Sequence, residues 1–175
     1  MKNFSAVNLP PPTTSAPEIS AGKGVVLIVD DDPVVRKLTR DMLSKITDAV
    51  HAVSCGTDAV RVAPQLDPDL ILLDVTMPDM DGFEVCEKLR ADPRTREVPI
   101  IMVTALNDRQ SRLKGLEAGA DDFISKPYDR MELRTRVKTI LKVNRYRRLM
   151  DERDQRQRAW QGALKVLSEL LAIRD

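Results

Sequence analysis

Short apolar runs alternate along this chain with segments in which apolar residues recur at helical spacing. The apolar runs occupy 25–29, 50–53, 70–73, 100–103 and 122–124. The helical spacings occupy 33–46, 57–63, 82–91, 108–118 and a long segment after Pro127. This alternation is typical of βαβ units, in which helices cover both faces of a parallel sheet. We therefore predict an α/β fold with a doubly wound, five-stranded parallel sheet and an extended C-terminal helix.

The two ends of the chain differ from its centre. Residues 1–24 contain PPPTTSAP and no periodic apolar positions, so we expect a disordered leader. Residues 25–145 form the expected globular domain. No helix breaker follows Pro127 until Gly162, and we therefore expect residues 146–175 to form a helical or coiled-coil linker.

Composition narrows the function classes. No apolar stretch approaches the roughly 18 residues of a membrane span, so we expect a soluble, cytoplasmic protein with no membrane partner. Cys55 and Cys86 have no nearby cysteine or histidine partner, which argues against a disulfide framework or a zinc site. The net charge of +1 conceals a basic segment at 134–158 and gives little indication of partners.

Polar residues suited to phosphoryl chemistry follow the ends of the apolar runs. They are Asp30 and Asp31, Asp74, Thr104 and Lys126. In an open parallel sheet the carboxyl ends of the strands share one edge, where ligands bind. We therefore expect three carboxylates, a hydroxyl and an ammonium to share one pocket.

This set of groups predicts a chemistry. Three neighbouring carboxylates repel one another unless a cation neutralises them, and hard oxygen ligands with room for phosphoryl oxygens favour Mg²⁺. Asp74, which ends a wholly apolar strand, is the best candidate for a nucleophile that forms an aspartyl phosphate. Thr104 and Lys126 could then bind the phosphoryl oxygens.

The segments VVLIVDDDP, LLDVTMPDMDGFEV, IIMVTA and DDFISKPY resemble the four signature segments of response regulator receiver domains from two-component signalling. The resemblance covers roughly residues 25–145. It implies a flavodoxin-like sheet with strand order 2-1-3-4-5. It also implies phosphoryl transfer from the phosphohistidine of a sensor kinase or phosphotransfer protein, and no output enzyme activity in this chain.

The resemblance also implies individual roles. Asp74 is the phosphoacceptor, while Asp31 binds Mg²⁺ directly and Asp30 mainly through water. The backbone carbonyl of Thr76 completes the metal ligands. Thr104 is the switch hydroxyl. Lys126 binds the phosphoryl group and precedes a cis proline.

We expect specific roles for four further residues. Phe123 matches the aromatic switch position of the family, or it is a plain core residue. Leu106 offers no polar group to position a hydrolytic water, which suggests a long-lived phosphoryl state. Asp32 is expected to cap a helix, and Gly82 to supply unusual backbone geometry in the MPDMDG turn.

A heptad pattern runs through the C-terminal segment. It comprises Val143, Tyr146, Met150, Arg153, Gln157, Trp160, Leu164, Leu167 and Leu171. Apolar ends and a polar middle suggest a parallel homodimer. A solvated single helix, or one folded back on its own domain, is the alternative. Arg145, Arg147 and Arg148 could contact nucleic acid, but no recognition motif accompanies them, so we expect no nucleic-acid partner.

Three other interpretations account for parts of the sequence. The segment ALKVLSELLAIRD resembles the opening helix of HD-GYP phosphodiesterase domains, so the chain could be the N-terminal regulatory fragment of a longer regulator. A haloacid dehalogenase type hydrolase would use Asp30 and Asp32 as a DxD motif, but the DVTMPDMDG segment would then have no purpose. A degenerate receiver would act only as an interaction domain, and the complete acidic set argues against it.

Overall fold

The computed structural model describes residues 24–105 and 109–172, with side chains as far as residue 165. In this part of the chain, five strands alternate with five helices. The strands are β1 (Val25–Val29), β2 (Ala49–Val53), β3 (Leu70–Asp74), β4 (Ile100–Thr104) and β5 (Asp122–Ser125). The helices are α1 (Pro33–Leu43), α2 (Gly56–Leu66), α3 (Gly82–Ala91), α4 (Arg109–Glu117) and α5 (Arg130–Ala172).

The five strands form one parallel sheet in the order β2-β1-β3-β4-β5. The predicted doubly wound α/β fold, its strand order and the long C-terminal helix are thus confirmed. In register, Val29 pairs with Leu73, and Asp74 with Val103. The carboxyl ends of β1, β3 and β4 therefore meet at one edge of the sheet.

Alternate strand residues supply two separate cores. On one face Leu27 and Ile71 pack with residues of α2 and α3. On the other face Val26 and Leu70 pack with residues of α1 and α5. Strands β3 and β4 are buried along their whole length, as expected for the central strands of a sheet covered on both faces.

The helix ends agree with most of the sequence expectations. Asp32 caps α1, since its Oδ1 accepts a hydrogen bond from Val34 N at 2.7 Å. The predicted end of α2 at Ala63 is wrong, because the helix continues through Pro64 to Leu66. A proline near the end of a helix removes one N–H, and here Asp67 closes the helix in the left-handed conformation and donates its N–H to the Ala63 carbonyl.

The first part of α5 beyond the core is attached to the amino end of the sheet. Asn144 is buried, and its Nδ2 donates to the Asp69 carbonyl at 3.0 Å. Arg148 pairs with Asp67 and with Asp69, and Arg147 pairs with Glu97. These contacts hold the helix against the domain for about two turns past Leu141, its last buried leucine.

From residue 149 to residue 165 every described side chain of α5 is exposed. Leu167 and Leu171 of the expected heptad, Leu106 and residues 1–23 of the expected leader lie outside the described side chains. No helix in the described ranges is long and apolar enough to cross a membrane.

Candidate functional site

Lys126 joins two carboxylates at the carboxyl edge of the sheet. Its Nζ lies 2.9 Å from Asp30 Oδ2 and 3.0 Å from Asp74 Oδ2. Asp30 directly follows β1, Asp74 ends β3, and Lys126 directly follows β5. The fold therefore brings Lys126 together with two residues that lie 96 and 52 positions before it in the sequence.

The remaining oxygens of these carboxylates bind the loops that begin at the same edge. Asp30 Oδ1 accepts a hydrogen bond from Asp32 N at 2.9 Å, and Asp74 Oδ1 accepts one from Thr76 N at 3.3 Å. Asp30 and Asp74 are only 3% and 5% exposed, whereas Asp31 is exposed. The pocket thus has two buried carboxylates and one that faces solvent.

Burial and the neighbouring charges have opposite effects on the pKa values of Asp74 and Lys126. Burial raises the pKa of Asp74, and this effect outweighs the hydrogen bond and the positive charge of Lys126. Burial tends to lower the pKa of Lys126, but hydrogen bonds to Asp30 and Asp74, together with their charges, raise its pKa overall. One ammonium therefore compensates only part of the acidic charge.

The acidic cluster has the composition and spacing of a divalent cation site. One oxygen from each of Asp30, Asp31 and Asp74 lies within 4.8 Å of the other two. Three carboxylates against one ammonium leave an excess of negative charge, and Mg²⁺ binds to proteins through a few carboxylates while keeping several waters. The residues present therefore fit the expected Mg²⁺.

Thr104 and Lys126 are linked through the backbone. Thr104 is buried at the end of β4, and its carbonyl accepts a hydrogen bond from Lys126 N at 2.8 Å. The peptide bond between Lys126 and Pro127 is cis, as expected. Thr104 thus lies at the same edge of the sheet as the acidic pocket.

Phe123 on β5 is half-buried beneath α4. A Cβ atom added to Gly115 would lie 2.6 Å from its Cε1, so only a glycine at this position of α4 leaves space for the ring. Phe123 also packs against the core on the α2 and α3 side of the sheet. This geometry is compatible with a switch position and with a core position.

The loop after Asp74 is held by two features. A Cβ atom on Gly82 would lie 2.4 Å from the Asp74 carbonyl oxygen, so α3 can begin this close to β3 only with glycine. The expectation that Gly82 supplies unusual backbone geometry is wrong, since the glycines with positive φ in the described ranges are Gly24 and Gly119. Close packing, not a special φ, requires this glycine.

Asp79 is the second feature, and it was not among the residues predicted from the sequence. Its carboxylate accepts hydrogen bonds from Gly56 N at 3.1 Å and from Thr57 N at 2.9 Å. The loop therefore caps the start of α2, which has no side-chain cap from its own N-cap residue Cys55. Capping signals are read from residues next to a helix, and this cap comes from 22 residues away.

Comparisons with known proteins agree with this geometry. The family model described as the response regulator receiver domain matches residues 26–138. The DNA-binding dual master transcriptional regulator RpaA of Synechocystis sp. is 41% identical over 117 residues, which cover 67% of this chain and 48% of that protein. Response regulator PleD of Caulobacter vibrioides is 42% identical over 135 residues, which cover 75% of this chain and 28% of PleD.

A solved structure has a similar fold. It is the receiver domain of a sensor histidine kinase from Pseudomonas aeruginosa with a magnesium ion coordinated in the active site cleft. The similarity has a TM-score of 0.63 with 34% identity, and covers 69% of this chain and 98% of that one. The chain spans about half the length of RpaA and less than a third of PleD.

These matches do not support the haloacid dehalogenase alternative. They extend over both halves of the sheet, and the family match includes the acidic residues after β1, Asp74 after β3 and Lys126 after β5. The chain belongs to the response regulator receiver domain family.

Proposed function

We propose that this receiver domain accepts a phosphoryl group on Asp74. The donor is the phosphohistidine of a sensor kinase or phosphotransfer protein in the cytoplasm. The single observation that carries the proposal is the contact of Lys126 Nζ with both Asp30 and Asp74, beside the exposed carboxylate of Asp31. This arrangement provides a nucleophile, a cation for phosphoryl oxygens and an acidic site for a metal.

Different residues of the chain have different roles in phosphoryl transfer. A carboxylate oxygen of Asp74 attacks phosphorus, and the bond between phosphorus and the donor nitrogen breaks. Lys126 can then exchange its contact with Asp74 for one with a phosphoryl oxygen, and Thr104 can donate its hydroxyl to another. Lys126 remains held by Asp30 during this exchange, because it contacts both carboxylates.

The acidic residues would also bind the metal ion. Asp30, Asp31, Asp74 and the backbone carbonyl of Thr76 would hold Mg²⁺, with Asp30 acting mainly through water. When bound, the ion supplies countercharge for the approaching phosphoryl group. A magnesium ion in the cleft of the Pseudomonas aeruginosa receiver domain supports this part of the proposal.

The signal would leave the site through Thr104 and Phe123. Movement of the threonine toward the phosphoryl group would alter the position of the Phe123 ring under α4. This would change the surface formed by α4, β5 and the start of α5. The change would then reach the exposed C-terminal part of α5. The tight contact between Phe123 and Gly115 supports this route, because small movements of the ring must be transmitted to α4.

We further propose that the C-terminal helix forms a homodimer. Five apolar residues at the a and d positions of the heptad are exposed in the single chain, namely Val143, Tyr146, Met150, Trp160 and Leu164. An exposed apolar stripe at this spacing favours pairing with a second copy. The receiver would then control the geometry of a paired helix.

The longer relatives also bear on the output of the whole protein. RpaA and PleD are much longer than the matched segment, which supports the proposal that this receiver regulates an output domain, of the HD-GYP type or another. The expectation of no nucleic-acid partner is not supported, because RpaA is named a DNA-binding regulator. A nucleic-acid partner for the whole protein remains compatible with these relatives.

Light scattering on the full chain tests the proposal that the site controls assembly. The mass is measured with and without Mg²⁺ and beryllofluoride, an aspartyl phosphate mimic, for the wild type and Asp74→Asn. We expect the monomer and dimer populations of the wild type to change only when both additions are present, and those of Asp74→Asn to remain unchanged. An identical response of both proteins would contradict the proposed role of Asp74.

A further inference from the structure

Arg36 lies in the first turn of α1, and its side chain folds back over the connection from β1. Its Nη1 donates to the carbonyl of Asp30 at 2.7 Å and to the carbonyl of Asp31 at 2.8 Å. One guanidinium nitrogen carries two hydrogens, so it can donate to both carbonyls at once. Two successive peptide groups are therefore held toward the same side of the chain.

The two carbonyls belong to the residues that supply two of the three carboxylates in the cluster. Asp30 has further support, because its side chain accepts a hydrogen bond from Asp32 N and one from Lys126 Nζ. Asp31 is exposed, and the direction of its side chain depends on the orientation of its own peptide groups. The contact with Arg36 sets that orientation.

We propose that Arg36 is a positioning residue for the metal site, which orients the Asp30 and Asp31 backbone so that both carboxylates converge with Asp74. The inference rests on the proposed function, since it assumes that the cluster binds Mg²⁺. Arg36 acts indirectly, because its described hydrogen bonds are to carbonyl oxygens and not to carboxylates. It is a partner of the metal ligands and not a ligand.

Electrostatics and positioning predict opposite effects of removing Arg36. The guanidinium is a positive charge near the cation site, and like charges repel, so its removal alone would tighten Mg²⁺ binding. If instead Arg36 orients the ligands, its removal weakens binding, since loss of an outer-shell partner typically costs about 10–100-fold in metal affinity. The direction of the change therefore distinguishes the two effects.

Isothermal titration of the full chain with MgCl₂ provides the test. The proteins are wild type, Arg36→Met, Arg36→Lys and Arg40→Met, and thermal unfolding without Mg²⁺ checks that each is folded. Arg40→Met removes the same charge from an exposed position one turn further along α1. We expect Arg36→Met to bind Mg²⁺ about 10–100-fold more weakly, Arg36→Lys to be intermediate, and Arg40→Met to bind like the wild type or slightly more tightly.

Each contrary outcome has a distinct meaning. Folded Arg36→Met with wild-type or tighter affinity would overturn the positioning role. If Arg36→Met does not fold, Arg36→Lys decides the question, and an unchanged affinity overturns the inference. A wild-type protein that binds no Mg²⁺ would overturn the proposed function itself, independently of Arg36.

Discussion

Asp79 shows how a single carboxylate can hold the loop that follows the phosphoacceptor strand. Hydrogen bonds from Thr57 and Gly56 together lower its pKa to about 2, although burial opposes them and is exceeded singly only by the bond from Thr57 N. Because the folded-state pKa lies below the ordinary value of 3.8, the charged form contributes stability above that value. This contribution is lost as the pH falls toward about 2.

We predict that Asp79→Asn is less stable than the wild type at pH 7 and that the difference shrinks as the pH falls below about 4. Urea unfolding between pH 7 and pH 3 measures it. Asp151→Asn, on the exposed part of α5, is the control for loss of one acidic charge. A difference between Asp79→Asn and the wild type that stays constant over this range would contradict the assignment of the low pKa.

Gly115 packs so closely against the Phe123 ring that one added methyl group would clash with it. An alanine in the middle of a helix is favoured over glycine by about 1 kcal/mol. Here the added Cβ would lie 2.6 Å from the Phe123 ring, and overpacking typically costs about 1–3 kcal/mol. We predict that Gly115→Ala destabilises the domain despite the gain in helix propensity.

The same substitution in a Phe123→Ala background is the matched control. Without the ring, the main obstacle is Met102, whose flexible side chain can move. We expect Gly115→Ala to be neutral or stabilising in that background, as measured by urea unfolding. Stabilisation of equal size in both backgrounds would show that the ring does not occupy this space.

At the scale of elements, the attachment of α5 to the amino end of the sheet determines where the helix leaves the domain. Asn144 is buried and donates to the Asp69 carbonyl, while the ion pairs of Arg147 and Arg148 are partly exposed. Exposed ion pairs contribute roughly 0–1 kcal/mol. An unpaired buried polar group costs about 1–3 kcal/mol, so the amide is the more important contact.

We predict that Asn144→Ala lowers the free energy of unfolding by about 1–3 kcal/mol, because the Asp69 carbonyl loses its partner. Gln155→Ala, which changes an exposed amide on the same helix outside the heptad pattern, should have an effect within about 0.5 kcal/mol. Urea unfolding of both variants measures the contrast. Equal effects would mean that residue 144 does not anchor the helix.

These elements also show which parts of the site can be predicted from sequence. Asp30, Asp74 and Lys126 could be predicted because each stands where an apolar run ends, and parallel strands bring such residues to one edge. Arg36 and Asp79 could not, because they bind backbone groups of other segments. Such contacts depend on the path of the loops, which hydrophobic periodicity does not encode.

At the scale of the whole molecule, the receiver fold is confirmed, whereas the role of the exposed helix is still a prediction. The receiver fold, including the order of its strands, follows from the alternation of apolar runs and helical segments together with the family motifs. The boundary at residue 145 and the homodimer remain predictions. The described contacts of Arg147 and Arg148 show that interactions with the domain continue past that boundary.

The central claim concerns one aspartate in the full chain, and peptide-resolved mass spectrometry tests it most directly. The protein is treated with acetyl phosphate and Mg²⁺, and the wild type is compared with Asp74→Asn. The account predicts one added phosphate on the wild type, located at Asp74, and none on the variant. Absence of phosphate from the wild type, or its location at another residue, would contradict the account.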